Sequence, residues 1–182
     1  MTVARTARSP RATQIVAAAR ALLETEGAGA LTMRRVGQEL GIRAPSLYKH
    51  FGDKAAVEVA LIEDGLAEIG AALHAAVAVP GRQGPLAALL ATYRRFGTGH
   101  PNLYRLATSG RLARELLPPR LEEWAGAPFF LVTGDAYRSQ ALWAFAHGMV
   151  ILEIDGRFPP GSELDRTWAA GTAAFSAPAA FR

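Results

Sequence analysis

The chain has 182 residues, half of them hydrophobic, a formal net charge of +4 and no cysteine. That length and composition fit one sizeable globular core, or a small module joined to a larger one, and exclude a disordered chain. Disulfides, zinc–thiolate centres and thiol nucleophiles are excluded with the cysteines, and no apolar run approaches the ~18 residues of a membrane span.

The charge is unevenly spread. Residues 1–54 carry nine Lys or Arg against four Asp or Glu, including both lysines, Lys49 and Lys54, whereas the rest carries eleven against twelve. An excess confined to one end points to nucleic acid. Residues 1–10 hold Arg5 and Arg8 but no apolar stretch. They read as an arm or a disordered lead, not a secretory signal, and a cytoplasmic protein is expected.

The predicted elements are all helices. Ile15, Ala18, Ala19, Leu22 and Leu23 fall at helical spacing from Arg11 to Glu26, and Gly27 ends that helix. Thr32 offers an N-cap for a second helix, which runs to Leu40 and stops at Gly41. A short third helix spans Ala44 to His50, with Pro45 at a tolerated early position. Asp53 caps a long fourth helix reaching Val77. After the Pro/Gly-rich stretch Val79 to Pro85, helices are predicted at Leu86–Phe96, Pro101–Thr108, Arg111–Leu117, Pro119–Trp124, Asp135–Ile154 and Ser162–Phe175. No strand pattern appears, so the expected fold is all-α, with about nine helices.

The segment Thr32 to Phe51 has the marks of a helix-turn-helix. Two short helices that cross steeply need a residue without bulk at the crossing, which Gly37 supplies. The turn favours a residue that accepts positive φ, which Gly41 supplies. Val36, Leu40, Ile42 and Leu47 are then placed to bury apolar surface against the first helix. A recognition helix at Ala44–His50 fits the width of a major groove. Arg34 and Arg43 can each form two hydrogen bonds to guanine, and Pro45 and Ser46 can meet a thymine methyl and a base edge or phosphate. Thr32, Tyr48, Lys49, His50 and Lys54 are placed for phosphates. Phe51 reads as core, and Arg20 and Arg35 as solvated surface charges.

From Leu31-Thr32 through Leu47-Tyr48-Lys49-His50-Phe51 to Asp53-Lys54, the sequence resembles the DNA-binding domain of the TetR family, over Arg11 to Ile69. His100-Pro101-Asn102-Leu103-Tyr104-Arg105 is similar to a recurrent start of that family's sixth helix. Trp143-Ala144-Phe145-Ala146-His147-Gly148 is similar to the Trp…His-Gly signature of one C-terminal subfamily. The resemblance implies base contacts at Arg34, Ala44, Pro45, Ser46 and Tyr48; Ala44 can make only apolar contact. It implies a helix-turn-helix domain over 11–69, with its motif at 32–51, joined by the fourth helix to a ligand-binding and dimerisation bundle over 70–182.

The partners expected are double-stranded DNA at a palindromic operator, a second copy of the chain through 135–154 and 162–175, and a small apolar effector. Small residues at Ala141, Ala144, Gly148, Ala169, Ala170 and Ala173 allow close helix approach in such a homodimer. Effector contacts are expected from Tyr93, Phe96, Leu103, Tyr104, Trp143 and His147. No cofactor, metal or membrane is expected. The competing readings are a helical protein-binding adaptor, which has no need of the basic bias, and a small helical enzyme. No phosphate loop, nucleophile elbow or dinucleotide fingerprint appears. Asp135, Ser139 and His147 lie along one helix, so the outer pair would stand ~18 Å apart, too far for a triad.

Overall fold

The computed structural model describes residues 6–110 and 112–176. Residues 1–5 of the expected arm, and Arg111 at the start of an expected helix, lie outside the described residues. Among the described residues are nine α-helices and no strand. They are α1 (Pro10–Glu26), α2 (Met33–Glu39), α3 (Ala44–Leu47), α4 (Lys54–Ala78), α5 (Pro85–Gly99), α6 (Pro101–Thr108), α7 (Leu121–Thr133), α8 (Ala136–Ile154) and α9 (Leu164–Ser176). Short 3-10 turns occupy Gly81–Gln83 and Arg114–Leu116. No helix among the described residues is long and apolar enough to cross a membrane.

The chain forms two compact units. One comprises the described residues up to Glu68 together with His100–Glu122; the other comprises Ile69–Gly99 together with those from Glu123 onward. Helix α4 runs unbroken through residue 68 into the second unit. The segment 100–122, grouped on sequence with the C-terminal region, packs in the first unit. The reason is local: Glu24 of α1 accepts the backbone N–H groups of Asn102 (3.3 Å) and Leu103 (3.2 Å), free donors at the start of α6. Asn102 returns a bond from Nδ2 to the Glu24 carbonyl, at 3.1 Å.

In the first unit, α1 begins where Ser9 caps Ala12 and Pro10 fixes the first helical φ. Its buried face is Ala12, Ile15, Val16, Ala19, Leu22 and Leu23, and it ends at Gly27 with φ of 82°. The second unit is held by an ion-pair network. Arg94 of α5 grips Glu153 of α8 with Nε and Nη2 and Asp165 of α9 with Nη1. The Trp168 indole N–H bonds the same Glu153 at 3.1 Å.

Two regions after α6 depart from expectation. Of the region expected to be a helix from Arg111 to Leu117, the described residues 112–117 hold the 3-10 turn Arg114–Leu116 and no α-helix. Helix α7, expected to stop by Trp124, runs through Gly126 and Pro128 to Thr133. Leu121, Ala125 and Phe129 are buried at helical spacing along it, so packing overrides the local breakers.

Candidate nucleic-acid interface

The side chain of Thr32 accepts from the Arg35 N–H at 3.2 Å and starts α2. Gly37 lies where α2 meets α3: a Cβ there would stand 2.8 Å from the Ile42 carbonyl oxygen and 3.5 Å from the Ala44 nitrogen. Gly41 turns the chain with φ of 62°. Val36 and Leu47 are buried, closing the motif against the core of the unit.

Helix α3 is shorter than expected, ending at Leu47 instead of His50. The winding nevertheless continues, because the N–H groups of His50 and Phe51 both bond the Leu47 carbonyl, at 2.8 and 3.0 Å. Tyr48 keeps helical dihedrals of −63° and −14°. The tightened last turn explains the difference, since helix ends commonly shift from α to 3-10 bonding.

Arg34, Arg43, Pro45, Ser46, Tyr48, Lys49, His50, Thr32 and Lys54 are all exposed, with Ala44 half-buried. Tyr48 keeps 52% of its surface open to solvent, a high value for an aromatic residue in a small domain. Among the described residues, no ion pair or hydrogen bond engages the charged ends of Arg34, Arg43 or Lys49. Lys54 instead pairs with Glu58 one turn on, at 3.1 Å. Asp53 caps α4 by accepting from the Ala56 N–H at 2.8 Å. Arg35 is tied to Glu26, so it is a paired charge and not the solvated one expected. Arg20 is likewise tied, to Glu68 at 2.6 Å.

Sequence reasoning missed a clamp behind this face. Arg8 donates to Asp64 at 2.8 Å, to Glu63 at 2.7 Å and to the Ala60 carbonyl at 3.2 Å. The Thr6 N–H adds a bond to Glu63, which is 4% exposed. The clamp holds residues 6–9 on α4 and so sets the Ser9 cap of α1. The partners are 55 and 56 residues apart in the chain, beyond any local pattern.

The six residues expected to line an effector site are not brought together in one unit. Leu103 and Tyr104 are buried in the first unit, where Leu103 packs on Gly65. Tyr93, Phe96, Trp143 and His147 belong to the second. Tyr93 is buried with its ring edge-on to Phe129, centroids 5.5 Å apart. Trp143 is 49% exposed and stacks on His147 at 5.7 Å. Burial lowers the His147 pKa from its ordinary value.

Helix α8 presents Tyr137, Ala141, Ala144 and Leu152 to solvent at helical spacing, and α9 presents Ala169, Ala170 and Ala173. Among the described residues, Gly148, midway along α8, has nothing beyond its own helix backbone and its two chain neighbours within 4 Å of where its Cβ would be. The close helix approach expected there is therefore not made by the chain's own described residues.

Two family models match the chain. Residues 15–61 match that of bacterial regulatory proteins of the tetR family, and residues 86–175 match a tetracyclin repressor-like C-terminal domain. An uncharacterised HTH-type transcriptional regulator of Mycobacterium tuberculosis is 28% identical over 169 residues, covering 85% of this chain and 74% of that protein. A protein of unknown function from Rhodococcus sp. RHA1 shares the fold with a TM-score of 0.77 and 22% identity, over 93% of this chain and 95% of its own. A TetR variant from Acinetobacter baumannii, solved with minocycline, does so with a TM-score of 0.63 and 21% identity, over 90% and 92%.

Proposed function

Because the chain belongs to the TetR family of DNA-binding transcriptional regulators, we propose that it is a repressor that binds a palindromic operator as a homodimer and is released by a small apolar effector. The observation that carries the DNA side is the exposed set Arg34, Arg43 and Lys49 on one helix-turn-helix, with no carboxylate among the described residues holding any of them. A free guanidinium can form a bidentate pair with a guanine edge without first breaking a contact in its own chain. Thr32, Tyr48, His50 and Lys54 take phosphates in this reading, and Ala44, Pro45 and Ser46 lie against base edges. In this reading residues 11–69 read DNA and 70–182 serve dimerisation and effector binding, with 100–122 packed in the first unit. A regulator of this kind carries no catalytic group and acts where the genome is, in the cytoplasm.

The dimer interface is assigned to α8 and α9, on the support of their exposed small and apolar residues and the open Gly148. The effector site is assigned to the second unit, with Tyr93, Phe96, Trp143 and His147 as its candidate lining. Two of the similar structures are described as complexes with minocycline and, for a multidrug binding protein, with imidazole. Small cyclic compounds are therefore the first class to screen. The deciding experiment is selection of purified protein on random duplex DNA. An enriched palindrome is expected, bound well above its scrambled version. Equal affinity for both would overturn the reading and leave a protein-binding adaptor in its place.

A further inference from the structure

An open cavity of about 510 Å³ lies within the first unit, between the clamped residues 6–9, the end of the recognition segment, the first half of α4 and the 3-10 turn Arg114–Leu116. That volume is in the range of sites that take small organic molecules. One part of its wall is apolar. Phe51, Ala56 and Val59 line it while only half-buried, and Leu116 lines it with 61% of its surface open to solvent. An apolar body laid on this wall would take that surface out of water. Lys49 and His50 also line the cavity, both exposed, and among the described residues neither side chain has an ion-pair or hydrogen-bond partner. Glu63 lines it too, but its carboxylate is already matched, by Arg8 at 2.7 Å and by the Thr6 N–H at 2.6 Å. Asp64 takes another arm of Arg8, at 2.8 Å. An uncovered apolar wall therefore stands beside an unmatched ammonium and an imidazole.

We propose that this cavity binds a small organic monoanion, an apolar body carrying one carboxylate, whose head group takes Lys49 and His50 and so competes directly with operator phosphate. A single carboxylate suits the single free ammonium. A doubly charged phosphate would bring a second negative charge toward Glu63 and Asp64. The competition rests on the reading of Lys49 and His50 as phosphate contacts. The site is separate from the effector site assigned to the second unit, because every lining residue belongs to the first. Its mode of control differs as well. DNA and the anion exclude one another at shared side chains, and no change of shape has to be transmitted.

The test is equilibrium dialysis of the full-length protein against labelled octanoate, with acetate as the head group alone and 1-octanol as the body alone. Octanoate is expected to bind, and each of the other two about tenfold more weakly or worse. Leu116→Ser strips part of the apolar wall at a residue with no assigned part in DNA binding. It is expected to weaken octanoate about fivefold and to leave operator affinity at the wild-type value. Lys49→Ala is expected to weaken octanoate about tenfold. In wild type the apparent operator dissociation constant is expected to rise in proportion to octanoate without a plateau, since a shared site admits no ternary complex, whereas an effector acting from a separate site levels off. No binding at millimolar octanoate, equal binding of 1-octanol, or unchanged octanoate affinity in both Leu116→Ser and Lys49→Ala overturns the site. Octanoate that binds as expected but leaves operator affinity unchanged, or lowers it only to a plateau, overturns the competition. A wild type that selects no palindrome overturns the operator reading and the competition together, while the dialysis still decides the cavity.

Discussion

Carboxylates within the first unit hold Arg8, Arg20, Arg35 and Arg114, whereas none among the described residues holds Arg34 or Arg43. The distinction sorts the expected effects of substitution. Arg34→Ala and Arg43→Ala are each expected to cost about 1–3 kcal/mol of operator binding and to relax preference at one base pair. Lys49→Ala is expected to weaken all sequences alike and to lower the salt slope of binding by about one. Arg35→Ala, whose charge Glu26 already holds, is expected to leave base preference unchanged. Anisotropy titrations over a range of salt and single-base variants check all four. Gly37→Ala works differently, by pressing a methyl group against the Ile42 carbonyl. It is expected to cost about 1–3 kcal/mol in urea unfolding, with DNA binding falling in step.

His147 gives a pH signature at the same scale. Burial holds its pKa below the ordinary 6.5, so the folded chain disfavours the charged ring. Its contribution to stability is complete above the unfolded value and is lost as pH falls below it toward the lowered folded value. The urea midpoint of wild type is expected to drop over that acid window more than that of His147→Gln. Parallel curves for the two proteins would remove His147 from the account.

At the scale of elements, the motif was legible because its constraints are local. Gly37, Gly41, Thr32 and Asp53 each act on a backbone group within a few residues, and each is found in its expected role. Helix α7 was misread because a breaker in sequence is judged without its neighbours. Pro128 lies among Leu121, Ala125 and Phe129, all buried, and its lost bond is taken up by a histidine 50 residues away from the Trp124 it serves. The placement of α6 was hidden for the same reason. The carboxylate that caps it belongs to Glu24, 78 residues before Asn102. Tyr93 and Tyr104 look alike in sequence, both aromatic and both buried, yet they belong to different units. Glu24→Ala is accordingly expected to fray α6 and to destabilise the first unit by about 1 kcal/mol, the cost of partly buried donors left unmatched. Hydrogen exchange at the amides of Asn102 and Leu103 would register it first.

At the scale of the whole molecule, the proposed reading has two copies place recognition segments in successive major grooves about 34 Å apart. Gly148→Arg and Ala170→Arg put a long charged side chain on the faces assigned to the dimer. Both are expected to give folded monomers by sedimentation, with operator binding lost. Variants that stay dimeric would move the interface elsewhere. An effector that releases the operator is expected to change operator affinity by about 1–3 kcal/mol, roughly 5- to 150-fold, and operator DNA must weaken that effector by the same factor. A calorimetric titration with and without operator reads both sides of the cycle.

The first unit is also discontinuous in the chain, with Ile69–Gly99 set between its two parts. This has a consequence for synthesis. As the polypeptide leaves the ribosome, α1 to α3 emerge early, but the amides that Glu24 receives belong to residues 102 and 103. The DNA-reading end is therefore completed only after a large piece of the other unit has already been translated. A message cut short before residue 100 would yield an unfinished reader, poorly stabilised and open to proteolysis, instead of a competent one lacking control. On the proposed reading, operator occupancy belongs to chains in which residues 69–99 of the second unit have already been made.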